Sequence, residues 1–140
     1  MILISSSEKE TFDAGFALGS MLKGGQIVTL SVELGAGKTV FTKGIARGLG
    51  VTDEVVSPTF TLMNEYDGKD LKLYHYDAYR LNNSEEAIGA GLTEYFGTRE
   101  GVCVIEWYEN ISAALMRYKK IRVNISYENG EKRKIEIVDE

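Results

Sequence analysis

Gly35, Ala36, Gly37, Lys38 and Thr39 have the types and spacing that bind a chain of phosphates. The two glycines allow backbone conformations that a Cβ forbids. A lysine follows, then a hydroxyl, then Val40 at the opening of a helix. An apolar run, Gln26-Ile-Val-Thr-Leu-Ser31, comes before. Strand, glycine turn, lysine, hydroxyl and helix are the parts of a phosphate-binding loop. Backbone N–H groups from Leu34 to Val40 then face one hollow, and the helix dipole adds partial positive charge. The hollow suits a triphosphate, with Lys38 reaching the β- and γ-phosphates and the Thr39 hydroxyl on Mg²⁺. The full pattern G-x-x-x-x-G-K-[ST] asks for a glycine five residues before Gly37, where this chain has Val32.

Two acids add to this set. Gly101-Val-Cys-Val-Ile-Glu106 is an apolar, β-branched run ended by a carboxylate. It reads as a central strand of a parallel sheet, and ligands of open α/β sheets lie at such strand ends. Glu106 is thus a candidate Mg²⁺ ligand, directly or through water, with Trp107 at the rim. Asp77 ends another alternating run, Leu71-Lys-Leu-Tyr-His-Tyr-Asp77. It either serves chemistry or pairs with Arg80 to cap the next turn. His75 reads as a packed strand histidine. Thr59, after Ser57-Pro58, either belongs to a turn or senses the γ-phosphate and Mg²⁺ as switch loops do. Residues 7–11, Thr11 among them, are candidates for the wall around a nucleotide base.

These residues need elements to position them. A short strand is expected at residues 1–4. Ser7 and Glu10 form a capping box for a helix whose buried face is predicted to carry Phe12, Phe16, Gly19 and Leu22. Gly24 and Gly25 end it. A second helix over residues 38–49 buries Phe41, Ile45 and Leu49, with Gly44 and Gly48 permitting a close approach to the sheet. Residues 60–66 and 71–76 predict a hairpin about Asp67 and Gly68. Residues 83–96 read as a short helix, a kink and a second short helix, capped by Asn83 or Ser84. Residues 108–119 should be helical, with Ile111 and Leu115 inward. Residues 121–127 and 132–138 alternate about Asn129 and Gly130, a strong hairpin turn. Cys103 is expected in the core.

The whole predicts an α/β, P-loop NTPase-like three-layer fold: a mixed, mostly parallel central sheet with antiparallel hairpins, in one domain of 140 residues. The formal charge of −5 excludes nucleic-acid binding by broad electrostatics alone. Seven of the sixteen basic residues fall between Arg117 and Lys134, more simply a solvated face of two strands than a contact patch. One cysteine and one histidine exclude a disulfide framework and a zinc cluster. No apolar run reaches the length of a membrane span or a signal peptide, so a cytoplasmic location without membrane contact is expected.

Leu34-Gly-Ala-Gly-Lys-Thr39, Ser57-Pro-Thr59, Tyr74-His-Tyr-Asp-Ala-Tyr-Arg-Leu81 and Ile105-Glu-Trp107 occur in this order. Together they closely resemble the TsaE (YjeE) family of small bacterial P-loop ATPases, over nearly the whole chain. The family's loop usually begins Gly-Asp-Leu, where this chain has Val32-Glu33-Leu34. The resemblance implies an ATP-hydrolysing accessory subunit in the making of threonylcarbamoyladenosine on tRNA. Its implied partners are the subunit that transfers the threonylcarbamoyl group and that subunit's paralogue, with tRNA contact indirect. Carried over by position, Lys38 contacts phosphate, Thr39 and Glu106 hold Mg²⁺, and Asp77 orients or activates water. Thr59 then belongs to a switch-like loop, and Trp107 lies next to the ATP. Turnover should be feeble alone and faster with partners. Two other classes share the loop: a small-molecule kinase, and a nucleotide-gated binding module that barely hydrolyses.

Overall fold

The computed structural model describes residues 1–33, 35–58 and 60–140. Among them seven strands form one mixed sheet in the order β1-β7-β6-β2-β5-β4-β3. The strands are β1 (Ile2–Ser5), β2 (Ile27–Val32), β3 (Met63–Asp67), β4 (Lys72–Asp77), β5 (Gly101–Glu106), β6 (Lys120–Asn129) and β7 (Lys132–Asp139). The centre, β6-β2-β5-β4, is parallel, and the hairpins β3–β4 and β6–β7 add antiparallel margins, with β1 against β7. β5 is buried at every residue, as a strand between two neighbours and two helical layers must be.

Helices α1 (Glu8–Met21) and α2 (Lys38–Gly48) cover one face, over a core that includes Leu30, Phe41, Ile45, Leu73, Val104 and Ile135. The other face packs Ile27, Tyr76, Cys103 and Ile105 against Ala87, Leu92, Phe96, Ile111 and Leu115. Those partners come from α3 (Ser84–Gly89), a 3₁₀ turn at Leu92–Tyr95, and a second 3₁₀ turn at Tyr108–Ile111 that runs into the single-turn helix α4 (Ser112–Leu115). The helix expected across residues 108–119 is therefore much shorter, and the chain turns into β6 at Lys120. Lys120 Nζ donates to the Leu115 and Tyr118 carbonyls at 3.2 Å, which ties off the helix end.

Helix α1 buries the predicted face in part: Gly19 and Leu22 are buried as expected, but Thr11, Gly15 and Leu18 join them, while Phe12 is half-buried and Phe16 is exposed. The reason is helix-on-helix contact. A Cβ on Gly15 would lie 2.3 Å from the Phe41 carbonyl oxygen, and one on Gly19 2.3 Å from that of Ile45. On the facing helix, Gly44 and Gly48 press equally hard on the carbonyls of Phe12 and Phe16. The glycines of α2 thus bring it against α1, not against the sheet. The capping box forms with a shift of one residue: Ser7 Oγ accepts from Glu10 N–H at 3.1 Å, and Glu10 Oε1 accepts from Ser6 N–H at 3.2 Å.

The basic residues of the last two strands are largely engaged locally. Arg122 pairs with Glu140, Lys134 with Glu136, and Arg133 lies over the Tyr127 ring. Cys103 is buried; desolvation pushes its thiol up to about 12, although the Tyr76 hydroxyl pulls the other way.

Candidate nucleotide site

The turn from β2 into α2 presents the partial positive charge of a helix N-terminus. Gly35 and Gly37 sit at φ 79° and 104°, the left-handed region open to glycine. Among the described residues no side chain caps α2, so its first N–H groups have no side-chain acceptor. Ala36 N–H donates to the Glu33 carbonyl at 2.9 Å, closing the turn. Val32, where the pattern asks for glycine, is the last residue of β2 and pairs with Ile125 of β6. The side chain therefore stays within a regular ladder. Leu34 and Thr59, both named as candidates from the sequence, lie outside the described residues.

Two hollows flank this turn, and Gly35 lines both. The first, of about 340 Å³, is bounded by Glu33, Lys38, Glu106, Trp107 and Glu109. The second, of about 270 Å³, is bounded by Ser7, Thr11, Gly37, Val40 and Arg133 among others. Lys38, Glu106 and Trp107, distant in sequence, thus share one wall, and Thr11 lines the other side. Thr11 is itself buried, and its hydroxyl is 2.7 Å from Ser5 Oγ.

Glu106 is the most constrained group in the site. It is buried, with Lys38 Nζ 2.9 Å from Oε1 and His75 Nε2 hydrogen-bonded to Oε2. Burial pushes its pKa up, but the bonds and charges of His75 and Lys38 together outweigh burial and hold it below the ordinary 4.5. His75 is the residue that sequence reading undervalued. It is packed in β4 as expected, yet it also fixes the carboxylate at the end of β5. The available signal was its position two residues before Asp77 on a neighbouring strand.

Asp77 stands beside Glu106 in the β4–β5 register. It is nearly buried, and its Oδ1 accepts from Tyr79 N–H at 3.0 Å. Asp77 thus caps the turn, but among the described residues it makes no ion pair with Arg80; that guanidinium lies 4.6 Å from the Phe60 ring centroid. Trp107 has φ 58°, uncommon for a bulky residue, and its ring meets Tyr79 at 4.9 Å. Thr39 is exposed at the start of α2. No three His, Cys, Asp or Glu side chains among the described residues cluster as a metal cage. Such a site suits Mg²⁺, which is commonly held by one or two carboxylates together with substrate phosphates.

A family model described as "Threonylcarbamoyl adenosine biosynthesis protein TsaE" matches residues 5–135. The chain belongs to the TsaE family. Curated TsaE relatives carry the name "tRNA threonylcarbamoyladenosine biosynthesis protein". That of Treponema pallidum is 45% identical over 119 residues, covering 84% of this chain and 86% of its own. That of Nostoc is 38% identical over 141 residues, covering 98% and 85%. The crystal structure of Bacillus subtilis YdiB superposes with a TM-score of 0.81 at 34% identity, covering 98% of this chain and 83% of that one. The TsaE match spans the turn, β4 and β5, so it includes every residue of the first hollow.

Proposed function

We propose that this chain is a Mg²⁺-dependent ATPase and the accessory subunit that resets a threonylcarbamoyl-transferase complex during tRNA modification. Membership of the TsaE family supports the pathway. The observation that carries the chemistry is Lys38 against Glu106 in a hollow that also holds the glycine turn. In this reading the triphosphate lies along backbone N–H groups of residues 35–40. Lys38 exchanges Glu106 for the β- and γ-phosphates. Glu106, still fixed by His75, is then available with the Thr39 hydroxyl for Mg²⁺, which would neutralise charge on the phosphate oxygens. Asp77 orients or activates water for in-line attack on the γ-phosphorus, and the bond to the ADP oxygen breaks. Trp107 borders the nucleotide.

Charge in the first hollow argues for slow turnover alone. Glu33, Glu106 and Glu109 face one lysine, and no arginine lines it among the described residues. The missing transition-state charge would then come from a partner. Exposed Trp107 lines this hollow and meets exposed Tyr79, and the next residue, Arg80, lies over exposed Phe60. Aromatic side chains beside an arginine are a composition typical of interface hot spots. The proposed partners are the transferring subunit and its paralogue, with tRNA reached through them. Among the described residues no helix is long and apolar enough to cross a membrane, and a tRNA-modifying role fits the cytoplasm. The test is phosphate release from Mg-ATP with and without these partners. The reading expects slow release that partners accelerate, and loss in both Lys38→Ala and Glu106→Ala. Fast release that partners leave unchanged, or turnover surviving in both variants, would contradict it.

A further inference from the structure

A histidine in an apolar layer needs a reason, and packing does not supply one for His75. The residue is 2% exposed in β4, opposite Val104 and two residues after Leu73, on the sheet face that meets α1 and α2. Among the described residues its Nδ1 has no hydrogen-bond partner, which costs stability in a buried setting. The ring's polar bonding goes instead from Nε2 to one atom, Oε2 of Glu106. That carboxylate is held below its ordinary 4.5 and is ionised at neutral pH. An ionised carboxylate only accepts, so Nε2 carries the hydrogen.

We propose that His75 is a positioning residue that selects the cation accompanying the nucleotide: it occupies Oε2, leaves Glu106 one oxygen for metal, and so favours Mg²⁺ over Ca²⁺. The proposal rests on the ATP-binding reading above.

The two oxygens of Glu106 have different neighbours. Oε1 meets Lys38 Nζ at 2.9 Å, and Lys38 lines the first hollow. Oε2 lies against the buried ring. When Lys38 turns to phosphate, Oε1 is the atom released into the hollow, while Oε2 stays bonded. The sheet holds this arrangement in place. His75 and Glu106 stand on paired strands, with Val104 and Asp77 opposite them in the ladder.

The cations differ in what they ask of a carboxylate. Mg²⁺ keeps a small octahedral shell, filled largely by water and phosphate, with one or two carboxylates added. Ca²⁺ is larger, takes about six to eight oxygens, and often draws both from one carboxylate. A carboxylate with one oxygen tied back suits Mg²⁺ and denies Ca²⁺ part of its shell. Bonds behind a metal ligand commonly change metal affinity roughly 10–100-fold.

The experiment is calorimetric titration of the non-hydrolysable analogue β,γ-imido-ATP, with either Mg²⁺ or Ca²⁺ as the only divalent cation. The quantity read is the ratio of the two Kd values. The wild type should bind at least about tenfold more tightly with Mg²⁺, and His75→Ala should shrink that preference by roughly tenfold. His75→Asn, too short to reach Oε2, should behave as His75→Ala does. His75→Gln, whose amide can donate from the place of Nε2, should restore most of the preference. Melting temperatures without nucleotide check that each variant is folded. A role confined to packing would weaken binding with both cations alike. An unchanged ratio in His75→Ala and His75→Asn, or a wild type indifferent to the cation, would overturn the assignment while leaving the nucleotide site standing. A wild type that fails to bind the analogue with either cation would overturn the ATP reading itself.

Discussion

Glu106 sits between a lysine and a histidine, and its acidity follows from them. A carboxylate whose folded pKa is depressed adds stability that is present above its unfolded value and disappears as pH falls through the folded one. The window here begins near 4.5 and extends below it. Unfolding by urea at a series of acidic pH values should show this loss in the wild type and a shallower slope in Glu106→Gln. In His75→Ala the carboxylate keeps burial but loses the largest force opposing it, so its folded pKa moves up toward 4.5. The window narrows, and the acid-induced loss should be smaller than in the wild type. Turnover should respond at the same residues: Lys38→Ala removes a donor aimed at developing charge, and a fall of at least ~100-fold in phosphate release is expected. Trp107 belongs to this scale too. Its left-handed backbone stores roughly 1–3 kcal/mol at the end of β5, beside the carboxylate that the site depends on.

At the scale of elements, the contact between α1 and α2 holds the glycine turn against the sheet. Gly44→Ala would drive a methyl group to 2.3 Å from the Phe12 carbonyl, so the helices must separate. A loss of about 3 kcal/mol, read as a lowered melting temperature, is expected. A methyl group added to Gly89, in α3, would meet nothing within 4 Å, and Gly89→Ala should instead stabilise by about 0.5–1 kcal/mol. Much of this architecture is legible in the sequence. The buried run ending at Glu106, the Asn129-Gly130 turn and the glycine–lysine turn each signal their structure locally. The buried face of α1 does so only in part: Gly19 and Leu22 are buried as the pattern indicates, but apolar periodicity also points to Phe16, whereas backbone contact with α2 selects Gly15. The two hollows are equally hidden. His75 meets Glu106, and Tyr127 meets Gly35, only through strand register and a hairpin that returns from the far end of the chain.

Across the whole molecule, charge governs what can bind. The net charge of −5 and three carboxylates in the first hollow oppose an unaccompanied triphosphate. ATP affinity should therefore fall by tenfold or more when EDTA removes Mg²⁺, on the order of one charge–charge contact in a partly buried cleft; equal affinity with and without metal would count against Glu106 as its ligand. The proposed partner dependence belongs to the same scale, since among the described residues the cleft offers one lysine where a fast hydrolase would need more positive charge. The most direct measurement is a crystal structure of this chain with Mg²⁺ and a non-hydrolysable ATP analogue. The account predicts phosphates on the N–H groups of residues 35–40, Lys38 moved from Glu106 to the β- and γ-phosphates, and Mg²⁺ between Thr39 and Glu106. An analogue bound elsewhere, or absent from the turn at saturating concentration, would contradict it.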